Sequence, residues 1–139
     1  MVLGIRNGYP YLMMDIGDST SGREPVKISS DKLVADNKWY QVIVDRVGRK
    51  VKFSIQETLD NGTEYTHSKE AVLPGQHTIF NLDRQKSKLY VGGVPPDTTL
   101  QGVDVRDFEG QIEELMVGNT PVGLWNFVGA SDLKGARQR

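Results

Sequence analysis

At 139 residues and a formal net charge of −1, from 17 basic and 18 acidic side chains, the chain suits one domain and lacks the basic excess that nucleic-acid binding demands. It has no cysteine, which excludes disulfides and thiolate metal centres. No apolar run is long enough to span a bilayer and none resembles a secretory leader, while the 15 glycines lean the composition toward strands and turns.

Strand patterns follow one another with a turn between almost every pair. VLGIR (2–6) leads through Asn7-Gly8 into YPYLMMD (9–15), and Asn-Gly between apolar runs is a strong hairpin signal. Pro10 cannot donate to a ladder, so an irregular start is expected for that second strand. GDSTSGRE reads as a polar loop before the strand PVKI. In WYQVIVDR (39–46), Tyr40, Val42 and Val44 share one face. VGRK turns tightly into VKFSIQE (51–57), where Val51, Phe53 and Ile55 alternate with Lys52, Ser54 and Gln56; that period of two predicts a sheet with one wet face. Asn61-Gly62 marks a further hairpin before EYTHSKEAVL.

In HTIFNLDRQKSKLYVGG (77–93), Leu89-Tyr90-Val91 reads as a short strand into Gly92-Gly93. Asn81 ends the apolar triplet before it, either as a plain strand terminus or as an oxygen presented to a bound group. A Gly/Pro loop with Pro95-Pro96 follows. QIEELMV favours helix by composition, yet Gly110 and Gly118 confine it to barely two turns, so it reads as strand. The tail SDLKGARQR is polar and basic and is expected to fray. The fold class is all-β: an antiparallel two-sheet sandwich or jelly roll.

Four motifs in order, NKWYQVIVDRVGRKVKFSIQ, KLYVGGVPPD, FEGQIEELMVGN and VGLWNF, resemble the laminin G-like family, the last motif being most like the first such domain of laminin α chains. The resemblance runs over residues 1–135, with 136–139 as a tail or linker. It begins in mid-domain, so the family's opening strands are expected to be missing from this chain. It implies a curved jelly roll and a non-catalytic extracellular binding module of basement membrane or cell surface, part of a larger chain beside neighbouring G-like domains. Implied partners are receptors of the integrin or dystroglycan class, heparan sulfate, or both, with no membrane insertion. A lectin-like sandwich binding carbohydrate directly is the alternative. The family's C-terminal disulfide is absent, its positions matching Gln111 and Ala136.

The resemblance also implies a rim calcium site built from the Ile16 and Ile79 backbone carbonyls and the Asn81 side chain. The family's acidic ligand would fall before Met1, so this set lacks charge, and the plain strand-end reading of Asn81 is preferred. In such a module two basic groups, Arg46, Arg49, Lys50 and Lys52 around one hairpin and Arg84, Lys86 and Lys88 after Asn81, are candidates for sulfated glycans. Asp45, Glu57 and Asp83 dilute them, and a solvated face is the plainer alternative. Asn61-Gly62-Thr63 is an N-glycosylation sequon, with meaning only in a secretory compartment.

His67 and His77 have no third ligand at metal spacing and read as surface residues. Trp39 and Trp125 read as core anchors. Glu109 and Glu113 share a face of the strand read in FEGQIEEL and could form a glycosidase pair. Gln111 between them carries no charge, and four strand residues separate the backbones by about 13 Å, against about 5–9.5 Å for catalytic carboxyls. No enzyme is expected.

Overall fold

The computed structural model describes residues 1–15, 24–76, 78–79, 85–100, 102–103, 107–124 and 127–129. The chain divides into two compact units, Met1–Phe108 and Glu109–Arg139. All regular structure among the described residues is β.

The first unit holds two antiparallel sheets of three strands. One contains β1 (Val2–Arg6), β2 (Tyr9–Met14) and β3 (Val26–Ser29); the other contains β4 (Tyr40–Val47), β5 (Lys50–Thr58) and β6 (Glu64–Val72), each in chain order. The Asn7-Gly8 hairpin forms with Arg6 opposite Tyr9, and both turn residues take positive φ (52° and 83°), as a mirror-image two-residue turn requires. Pro10 does not disturb β2: it pairs in register with Ile5. In an antiparallel ladder its missing N–H would point toward β3, whose pairing starts one residue later at Tyr11–Ser29; there the Pro10 carbonyl still accepts from Ser30 N at 2.8 Å.

The sheets face each other across one core. Leu12, Met14 and Ile28 come from the first, and Val51, Phe53, Ile55 and the adjoining Leu73 from the second; Tyr40, Val44 and Ala71 pack at its margin. The period-two pattern of β5 thus buries the side it marks as apolar. Its other side is less wet than the pattern implies, because Ser54 is also buried and shares a 2.9 Å hydrogen bond with Ser68 across the β5–β6 pair. β2 is buried on both faces: Tyr11 and Met13 point away from the core but are also covered.

The connection from β3 to β4 is pinned at several points. Val34 N donates to Gly8 O at 2.8 Å, and Lys69 Nζ of β6 donates to Asp31 Oδ1 at 2.7 Å. These bonds tie the crossover to both layers.

In the second unit β7 (Met116–Val117) and β8 (Thr120–Pro121) form a small hairpin around Gly118, closed by Val122 N donating to Leu115 O at 2.8 Å. The longer strand expected over QIEELMV shrinks to its last two residues, since Glu114 adopts φ 53°, which breaks an extended ladder. Leu89–Val91 is not a strand either; the only pairing nearby among the described residues is one bridge between Gly93 and Asp107. Trp39, expected in the core, is 56% exposed. It precedes Tyr40, and strand alternation puts it on the side opposite Tyr40 and Val44.

Candidate functional site

Around β5 the second sheet carries the densest polar organisation among the described residues. Glu57 ends the inner row of β5, beyond Val51, Phe53 and Ile55, where the apolar core gives way to charge. His67, two strand positions along the neighbouring β6, donates from Nε2 to Glu57 Oε1 at 2.9 Å, and Lys32 of the crossover pairs with the other carboxylate oxygen. The bond from His67, then the Lys32 ammonium, holds the Glu57 carboxyl below its ordinary range. Lys32 Nζ also lies 5.5 Å from the centre of the Tyr40 ring. Tyr40 donates its hydroxyl to Asp36 Oδ2 at 2.7 Å. Burial, and then that bond, raises the Tyr40 phenol to about 12, while the same bond lowers Asp36.

Two clefts flank this network. One of about 320 Å³ is lined by Lys38 and residues 57–61. The other, about 300 Å³, is lined by Ser30, Asp31 and residues 65–69, where the Tyr65 ring meets His67 edge-on at 4.7 Å. Sequence reading takes His67 as an isolated surface residue. The structure makes it the bridge between β6 and Glu57.

This network has a pH signature. A carboxyl with a lowered folded pKa stabilises fully above its unfolded value, about 4.3, and loses that contribution as pH falls through the folded value. Denaturant midpoints measured from about pH 5 down to about pH 2 should therefore fall more steeply for the native chain than for Glu57→Gln. Parallel acid limbs would show that the Glu57 links contribute nothing.

The basic hairpin is not one open cationic patch. Arg46 shares the inner face of β4 with Tyr40 and Val44; its Nε donates to Gly48 O at 2.9 Å, and its terminal nitrogens are withdrawn from solvent. A guanidinium so enclosed cannot grip a sulfate, which removes Arg46 from the glycan set. Arg49 Nη1 donates to Gly75 O at 2.7 Å, holding the turn after β6. Lys50 and Lys52 are exposed on the outer face, and Lys52 stands in register between Asp45 and Glu70. Lys86 and Lys88 are exposed; Arg84 lies outside the described residues.

Of the calcium set, Ile16 and Asn81 lie outside the described residues, and Ile79 is 81% exposed. No group of three acidic or histidine side chains capable of holding a metal occurs among the described residues. Two carbonyls and one amide fall well short of the six to eight oxygens calcium takes. With two of its three residues outside the described set, the calcium expectation rests on the resemblance in the sequence. His77 and Trp125 also lie outside the described residues.

Glu109 and Glu113 are both exposed on chain that belongs to no strand, so no sheet face brings them together. Asn61 is exposed at the tip of the β5–β6 hairpin. Among the described residues no helix is long and apolar enough to cross a membrane.

The Laminin G domain family matches residues 1–123. Laminin subunit alpha of Drosophila melanogaster is 44% identical over 97% of this chain, and Laminin subunit alpha-1 of Homo sapiens 23% identical over 92%. Neurexin-4 of Drosophila melanogaster is 28% identical over 85%. The chain spans between 4% and 8% of the length of these relatives. No solved structure matches at a significant level. With two facing antiparallel sheets and a family match through most of its length, the chain belongs to the laminin G domain family.

Proposed function

We propose that this domain is a non-catalytic extracellular binding module of a matrix or cell-surface protein, recognising receptors of the integrin or dystroglycan class, sulfated glycans such as heparan sulfate, or both. The observation that carries this reading is the 44% identity to a laminin subunit alpha over nearly the whole chain. The geometry supports it: a rigid apolar interior supports polar hairpins and loops, where binding residues commonly lie. For the glycan part the solvent-exposed cations are Lys50, Lys52, Lys86 and Lys88.

Heparin-column chromatography tests that part. The native chain should elute above physiological salt, and Lys50→Ala/Lys52→Ala earlier; native elution at about 0.15 M salt, where surface attraction is already screened over about 8 Å, would reject it. Receptor recognition is read separately, as saturable binding to immobilised integrin or dystroglycan-class ectodomains. Release of sugar from a polysaccharide panel, lost in Glu113→Gln, would overturn the non-catalytic reading.

A further inference from the structure

We infer that Asn61 is an N-glycan acceptor, and that its glycan is carried at the end of the second sheet opposite the basic hairpin. The inference rests on the extracellular reading above, because the modification needs passage through a secretory lumen.

The sequence contains six asparagines, and only Asn61 stands two residues before a Ser or Thr, with Gly62 rather than proline between. The structure puts this triplet where an enzyme can reach it. Asn61, Gly62 and Thr63 are all exposed, in the loop between β5 and β6. Leu59 N donates to Thr63 O and Gly62 N to Leu59 O, both at 2.8 Å, so the tip has a defined shape. Gly62 sits at φ 81°, a conformation that favours glycine.

The decisive contact is Thr63 N donating to Asn61 Oδ1 at 2.9 Å. That bond folds the asparagine side chain back over its own turn, toward the residue whose hydroxyl completes the sequon. It occupies the carboxamide oxygen and leaves Nδ2, the atom to be modified, as the free end of the group. The adjoining cleft of about 320 Å³ gives the first sugar room beside Lys38, Leu59 and Asp60.

The transfer itself is a displacement. Asn61 Nδ2 bonds to the anomeric carbon of an oligosaccharide carried on a lipid diphosphate. The bond from that carbon to the diphosphate oxygen breaks, its electron pair leaves with the lipid diphosphate, and Nδ2 gives up one proton.

Placement gives the glycan a consequence. β5 is nine residues long, so its two ends, Lys50 and Thr58, stand about 27 Å apart at about 3.4 Å per residue, with the Asn61 turn beyond the Thr58 end. A glycan at the tip would therefore be attached at the end of the second sheet opposite the turn that carries Lys50.

The test is translation of the full chain behind a cleavable secretion signal with microsomes, analysing only protease-protected, translocated chains. The expected result is one mobility step that an N-glycosidase removes, with a glycopeptide mapped to Asn61. Asn61→Asp keeps an oxygen for the Thr63 N–H and removes the acceptor nitrogen, so it should lose the step while remaining folded; Thr63→Ala should lose it too, and Thr63→Ser should retain it. Translocated native chain with unmodified Asn61 would overturn the inference and leave the extracellular reading standing. That reading is tested by whether the natural protein is found outside cells.

Discussion

Replacing Phe53 with alanine is expected to lower the stability of the first unit by about 3–5 kcal/mol, the range for emptying a buried aromatic site. Phe53 is 1% exposed in the middle of β5, with Val44 beside it on β4 and Leu12, Met14 and Ile28 contributed by the facing sheet. Truncation leaves a cavity bounded by strands that the pinned crossover keeps from closing. Whole domains are stable by only about 5–15 kcal/mol, so the loss takes a large fraction of the total. Denaturant unfolding should show a lower midpoint with an unchanged slope. Val72→Ala, at a position 60% exposed on β6, should stay within about 0.5 kcal/mol of the native chain. A Phe53→Ala cost no larger than that of Val72→Ala would mean the two sheets do not share this core.

Gly4→Val is expected to destabilise by about 1–3 kcal/mol, although strand propensity alone predicts a gain from valine. Gly4 lies in β1 directly opposite Tyr11, and a Cβ added there would stand 2.7 Å from Cζ of the tyrosine ring. The ring has little room to yield: Tyr11 is 5% exposed, and the Lys27 ammonium sits 4.7 Å from its centre. The glycine leaves room for the far end of the Tyr11 ring to rest against the backbone of the neighbouring strand. The check is a double-mutant cycle. Gly4→Val/Tyr11→Ala should cost less than the sum of the single changes, because each removes the clash or packing that the other disturbs. Strict additivity would show that the ring does not rest on Gly4.

Much of the fold was legible because its determinants are local. The positive-φ turn at Asn7-Gly8 depends on two adjacent residues, and the buried row Val51, Phe53, Ile55 depends on alternation within seven. The failures have equally specific causes. Trp39 looked like an anchor because tryptophan is usually buried, but its side of the strand depends on where β4 begins. Pro10 looked disruptive because its missing donor is visible in sequence while the direction in which that donor would point is not. The strand read in QIEELMV is interrupted by the backbone of Glu114, at a residue type that gives no warning of positive φ.

The candidate site divides in the same way. The Asn61 sequon is a triplet, readable in one line, and its turn bond spans two residues. Lys32 and Glu57 are 25 positions apart, Asp31 and Lys69 38 apart, and nothing near either residue names its partner. The inward turn of Arg46 likewise follows from strand register, where composition shows only one more cation in a basic hairpin.

By itself the sequence determined the all-β class, the hairpin turns and the apolar face of β5, because alternation and turn chemistry act between near neighbours, while the resemblance to the family rests on its ordered motifs. Only the tertiary structure decided which charges are spent on holding the sheets together and which remain open to a partner. That choice depends on register and on how two layers meet, and both are settled by the packing of residues distant in the chain.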